Sequence, residues 1–186
     1  MLASSENFAL AGFPLVEFDR KPIDRELLKG FIIEIGPQLT LIQKFESSTY
    51  RLNGYAIFCN SDVRRWRNVR KDEFLARAAR QMRLRPSNLS GVSLASLGEA
   101  LASAGSALPL ITIHQERIKR DVCYVGKFIS RNQRSMSLHH ISPDAEWDEK
   151  NKHHLKDITM IEFGGVYETL LAKLAPEIDH SVLGDV

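Results

Sequence analysis

Nine basic residues fall between positions 64 and 85 (Arg64, Arg65, Arg67, Arg70, Lys71, Arg77, Arg80, Arg83 and Arg85), against only Asp72 and Glu73. Trp66 lies inside the run. Guanidinium groups neutralise phosphates, and an aromatic ring among them stacks on bases. Arg64, Arg65, Trp66, Arg67, Arg70, Arg77 and Arg80 are therefore a candidate nucleic-acid face. The competing reading is a solvated helix face, or ion pairing with the acidic stretch 144–149 within the chain or across a dimer. It carries more weight, because Arg77, Arg80 and Arg83 stand opposite an apolar helical stripe.

Histidines come as two adjacent pairs, His139-His140 and His153-His154, on either side of the acidic stretch. Imidazoles that approach each other, with Asp148 or Glu149 nearby, have the donor set for zinc or another transition ion. Neighbouring residues of a strand point to opposite faces, so each pair supplies one ligand at most. His140 and His154 are taken as the candidate metal ligands. The alternative is a set of surface histidines beside a loop.

Other chemistry finds no motif. The chain has no G-x-S-x-G elbow, no phosphate loop of the G-x-x-x-x-G-K type and no H-E-x-x-H helix. Gly164-Gly165 precedes a helix whose N-terminus can hold an anion, but a strand-to-helix turn needs glycine in any case. Cys59 and Cys123 form no C-x-x-C and sit in apolar runs, which predicts two reduced, buried thiols. No catalytic residue and no cofactor is assigned, and the expectation is a non-enzymatic protein.

The elements that must position these residues read as mostly strand. Residues 13–18 predict a short edge strand, and Asp24 caps a short helical stretch ending at Gly30. From Gly30 the apolar period becomes two, giving a hairpin over 30–45 and a strand over 50–59 with a bend at Asn53-Gly54. Phe74, Leu75, Ala78, Ala79 and Met82 predict a helix capped by Asp72 and ended by Pro86. A second helix follows over 93–104, stopped by Gly105. Strands return at 110–113, 122–129 and 136–141. A polar loop carries Pro143, Asp144, Glu146, Asp148 and Glu149, and a last strand spans 155–163. A closing helix has Val166, Tyr167, Leu170, Leu171 and Leu174 on one face and ends at Pro176. The first eleven and last ten residues read as poorly patterned ends.

Two stretches share an order: a glycine-started strand, turn, strand, polar loop and third strand. Gly30 to Asp62 spans 32 residues and Gly126 to Asp157 spans 31. Short antiparallel strands with sharp bends must curl to bury a face, which suits small barrels better than a parallel sheet. Val125-Gly126, Asp157-Ile158-Thr159 and Phe163-Gly164-Gly165-Val166-Tyr167 carry a resemblance to Sm-like and wider SH3-like small barrels, and to uncharacterised bacterial proteins of that build. The resemblance covers about two-thirds of the chain in two pieces. RNA-binding Sm-like proteins place an asparagine after the first hairpin turn and an arginine-glycine pair after the last long strand. Here those positions hold Met136 and Phe163-Gly164, which argues against a uridine pocket.

The chain has 186 residues, 44% hydrophobic and 26% charged, with a formal net charge of +2, an ordinary globular balance that names no partner. No apolar run approaches a membrane span, and the start shows no basic-then-apolar leader. The expected class is α+β and β-rich: two small antiparallel Sm-like or SH3-like barrel units joined by a helical segment, with a C-terminal helix. The division is 1–66, a connector 67–109, 110–176 and a tail 177–186. The expected role is a cytoplasmic binding or scaffold protein that contacts a protein partner or itself as a homo-oligomer. Nucleic-acid (RNA) binding through residues 64–85 is the alternative, and no membrane is expected.

Overall fold

The computed structural model describes residues 7–178. The strands are β1 (Ala9–Leu10), β2 (Phe13–Asp19), β3 (Leu27–Ile35), β4 (Leu39–Glu46), β5 (Arg51–Cys59), β6 (Arg65–Asn68), β7 (Ile111–His114), β8 (Cys123–Arg131), β9 (Ser135–Ile141), β10 (Trp147–His154) and β11 (Met160–Phe163). The helices are α1 (Phe74–Gln81), α2 (Leu97–Ala107) and α3 (Val166–Leu174). The chain is β-rich α+β. All described strands pair antiparallel in the order β1-β2-β3-β4-β5-β11-β7-β8-β9-β10, with β6 added to β2.

Apart from β1 and α2, the elements of the two halves follow the same order. β3, β4 and β5 are followed by a 3-10 turn at Asn60–Asp62 and then β6 and α1; β8, β9 and β10 are followed by a 3-10 turn at Leu155–Asp157 and then β11 and α3. β2 opens the first series and β7 the second. The register repeats as well. Gly30 pairs with Lys44 and Gly126 with His140, and each ladder shifts three residues later, at Ile32/Glu34 and at Phe128/Ser130. A β-bulge bends a strand, so the two halves of the sheet turn at the same place. At the first pair a side chain has no room. A Cβ on Gly30 would lie 2.6 Å from the Gln43 carbonyl oxygen, and one on Gly126 would lie 2.2 Å from that of His139.

Burial follows the strand faces. Val16, Phe18, Ile32, Ile42, Ala56, Phe58 and Met160 form one cluster inside the first half. Leu39, Leu41, Ile57, Ile111, Ile113, Leu138, Ile161 and Phe163 pack under α2 across both halves. Gly105 lies within α2, not at its end, because Phe128 occupies the space a side chain would need, 2.3 Å from the Cβ position. Ser96 caps the helix by accepting from Glu99 N–H.

Several expectations are corrected. Residues 21–26 are turn rather than helix, and β2 is an inner strand between β3 and β6. Phe8 is buried and β1 ordered, so the start of the described chain is not frayed, while residues 1–6 and 179–186 lie outside the described residues. The acidic loop is shorter than read, since Asp148 and Glu149 belong to β10. Of the expected α1 face Ala79 is buried but Phe74 and Met82 face solvent, and Ala76 is buried beside Ala79. The α3 bounds match the sequence reading, yet of its apolar face only Leu171 is buried; Val166, Tyr167, Leu170 and Leu174 are exposed.

Candidate functional site

The halves are joined by β5 and β11, whose side chains pair as Met160–Phe58, Ile161–Ile57, Glu162–Ala56 and Phe163–Tyr55. β5 is the fourth strand of its series and β11 the fifth strand of the other. The junction therefore joins unlike edges. Among the described residues it leaves the fifth strand of the first half, β6, and the fourth strand of the second, β10, each with one strand neighbour, β2 and β9 respectively. Both are exposed, and Trp66 on β6 is 48% accessible.

The basic residues at this edge are mostly engaged. Arg65 Nε donates to Asp19 Oδ2 at 2.9 Å, and Arg67 bridges Glu17 and Glu73 at 2.5 and 2.8 Å. Arg70 meets Asp72 at 3.2 Å. Arg80 donates to the Lys71 carbonyl at 2.8 Å and lies over the Phe8 ring. Glu73 is held below the usual carboxylate range by the Arg67 hydrogen bond, which outweighs partial burial. Arg64 and Arg77 are exposed and have no ion pair within 4 Å among the described residues. The carboxylates come from β2 and the start of α1, not from 144–149. The sequence missed this because Glu17 and Asp19 lie in a strand whose pairing with β6 carries no apolar signal.

The histidines are brought together in a different combination from the one read. His140 Nε2 and His153 Nε2 are 2.9 Å apart, and Tyr124 lies against both rings with centroids at 5.2 and 5.0 Å. His154 is exposed on the opposite face of β10, and His139 packs on Trp147. Burial lowers both proton affinities, with His153 pushed down to about 4, so both imidazoles are neutral at pH 7.

On the outer side of the junction a cavity of about 120 Å³ is lined by Lys44, Thr112, His114, Cys123, Glu162 and Glu168, among others. Lys44 Nζ is 2.6 Å from Glu162 Oε1, His114 Nε2 is 3.5 Å from Oε2, and Thr112 donates to Glu168 at 2.6 Å. Burial pushes Glu162 up, but the His114 contact and the Lys44 charge overcome it and hold the carboxyl at about 2. Cys123 is exposed rather than buried, and partial desolvation and then Glu162 push its thiol up. A raised thiol beside a fixed carboxylate is a poor nucleophile. This network pairs charges across the junction. The N-terminus of α3 is also filled from the other half, by Asn53 Oδ1 accepting from Val166 N–H at 2.9 Å.

No described helix is long and apolar enough to cross a membrane. Comparison of the chain with protein-family models, with curated proteins and with solved structures finds no match.

Proposed function

We propose that the protein is a non-enzymatic binding protein that assembles with copies of itself head to tail, β6 of one copy adding to β10 of the next. The observation that carries this is the unlike-edge junction of β5 with β11, which leaves the two complementary edges, β6 and β10, without a further strand among the described residues and at opposite ends of the strand series. A contact between unlike surfaces propagates until it closes a ring or extends a filament. Strand addition at an open edge supplies the backbone hydrogen bonds. We also read each half as a small Sm-like or SH3-like barrel. The repeated five-strand series, the 3-10 turn before the last strand and the cluster of Val16, Phe18, Ile32, Ile42 and Phe58 support that reading.

Carrying the β5–β11 register over to the open edges sets Arg65 opposite His153, Trp66 opposite Lys152, Arg67 opposite Asn151 and Asn68 opposite Lys150. Lysine on an edge strand opposes indiscriminate pairing. Arg65 and Arg67, however, arrive already neutralised by Asp19, Glu17 and Glu73, and the Trp66 ring can cover the Lys152 stem. Extending the same register sets Arg70 near Asp148, which joins the basic and acidic segments across copies.

The test is light scattering on the eluting protein over a range of concentrations. Mass should rise with concentration, and Trp66→Asp or Lys152→Pro should each reduce it to monomer with an unchanged far-ultraviolet circular dichroism spectrum. Mixing the two variants should restore one intact junction and give a dimer and nothing larger. A strict monomer at the highest concentration, or variants that leave the mass unaltered, overturns the proposal.

A further inference from the structure

Aligning Gly30 with Gly126 and carrying the ladders across matches Leu28 to Tyr124, Lys44 to His140, Ala56 to Asn151 and Phe58 to His153. In the first half Leu28, Ala56 and Phe58 lie in one apolar cluster, and Lys44 reaches out to Glu162. In the second half the same places hold a phenol, a carboxamide and two imidazoles whose Nε2 atoms are 2.9 Å apart. His153 is also the one buried residue of β10, whose other side chains are half-buried or exposed. Among the described residues β10 has only β9 beside it. Its side-chain hold on the second half therefore rests chiefly on this pair of rings.

We propose that His140 and His153 form an acid-operated catch on β10: the strand is held to β9 while the two rings share a hydrogen bond, and is let go when both are charged. Proton positions follow from Asn151, whose Nδ2 lies 3.4 Å from His140 Nδ1. With that nitrogen accepting, His140 carries its proton on Nε2 and donates it to His153 Nε2, while His153 carries its own on Nδ1. The first added proton goes to His140 Nδ1. The resulting imidazolium still donates to His153, so the strand stays in place. The second proton must go to His153 Nε2, the atom that accepts this hydrogen bond. Two N–H groups then face each other, two cations lie in contact, and the bond is lost.

The surroundings set the two steps apart. Asp148 favours a proton on His140, while burial and His139 oppose it. His153 is held at about 4 by burial and then by His140, with the uncharged Met136 opposite it on β9. Tyr124 lies against both rings, and its hydroxyl accepts from Lys119 Nζ at 3.2 Å, which adds a cation at the same end. On a detached β10 the imidazoles return to the ordinary value near 6.5, so the detached strand takes up protons first as pH falls. The hold is complete above pH 6.5. For His153 it weakens by up to about tenfold per pH unit down to about 4, roughly 300-fold in all.

The experiment is amide hydrogen exchange of the full chain between pH 7 and pH 4, each rate scaled by the intrinsic rate at that pH. Protection of the β9–β10 amides should fall by about a hundredfold or more, while that of the matching β4–β5 amides changes little. His153→Phe, the residue of the first half at this place, should abolish the difference. If that variant fails to fold, comparison of the two ladders in the parent chain still decides the matter. Protection of β10 that persists at pH 4, an equal loss in both ladders, or a loss that survives in His153→Phe overturns the catch. β10 is also an edge of the assembly proposed above, so a fall in mass over the same pH range is a consequence that rests on that reading. Exchange measured on dilute monomer tests the catch whether or not copies assemble.

Discussion

Arg20 and Glu116 meet across the two halves in a two-pronged pair. Arg20 Nη1 donates to Oε1 at 3.0 Å and Nη2 to Oε2 at 2.5 Å, with the arginine wholly out of solvent. Arg20 follows β2 and Glu116 follows β7, so the pair ties together the exits of the opening strand of each half. Arg20 Nη2 also reaches the Thr159 carbonyl at 3.4 Å, and Phe58 lies under the guanidinium. Removing one partner strands the other charge in the interior, which costs about 3–5 kcal/mol. Arg20→Met should lower the urea midpoint accordingly, and Arg20→Met with Glu116→Met should recover most of the loss. Equal losses in the single and double variants would show that the stranded Glu116 carboxylate is not the source of the cost.

The close strand approaches at Gly30 and Gly126 give a matched pair of experiments. A backbone oxygen is the nearest atom at both positions. Gly126→Ala and Gly30→Ala should each destabilise by roughly 1–3 kcal/mol, since the strands must separate to admit a methyl group. The loss at Gly126 should be the larger, because its Cβ position is 2.2 Å rather than 2.6 Å from the opposing oxygen. Chemical denaturation curves for the two variants check both the sign and the order.

Glu162 makes stability depend on acid. Its carboxyl falls from the ordinary 4.5 to about 2 in the folded chain. A depressed folded value means that the unfolded chain takes up the proton first as pH falls. The contribution is thus complete above pH 4.5 and is lost between about 4.5 and 2. That shift corresponds to about 3 kcal/mol at neutral pH. Glu162→Gln should be less stable than the parent at pH 7 and close to it near pH 2, read as the difference in thermal midpoint across that window. A constant difference would place the effect of the substitution in packing alone.

The sequence exposed the strands that bury side chains and hid those that do not. Alternation locates the 30–45 hairpin and the strands over 122–129 and 136–141, because their inward residues are apolar. Arg65–Asn68 and Trp147–His154 were read as a basic connector and a polar loop. They are strands only because β2 and β9 pair with them, and an edge strand with little burial keeps no apolar period. Those two edges carry the proposed assembly. The bounds of α3 were legible from Gly164-Gly165 and Pro176, yet which of its faces packs was not, since Val166, Leu170 and Leu174 form as regular a stripe as any core. For the histidines, alternation allowed one residue from each pair. The parity of β10, set by its register on β9, selects His153 over His154.

The basic segment yields the last prediction. Each phosphate contact that releases a counterion adds about −0.9 to the slope of log affinity against log salt on duplex DNA. Arg65, Arg67 and Arg70 already hold carboxylates, and using them on phosphate would first break those pairs. Arg64, Arg77, Arg83 and Arg85 are exposed without an ion pair within 4 Å among the described residues and are left to contribute. Four contacts give a slope of about −3.6 at most, shallow beside the six to ten contacts of proteins that hold duplex DNA tightly. The purified protein should therefore elute free of nucleic acid at moderate ionic strength, and Arg64→Glu with Arg77→Glu should leave its elution from immobilised DNA and RNA nearly unchanged above that salt. Steep, salt-sensitive retention that disappears in this double variant would mean that the arginines exchange their carboxylates for phosphate on binding. It would also restore residues 64–85 as a nucleic-acid surface.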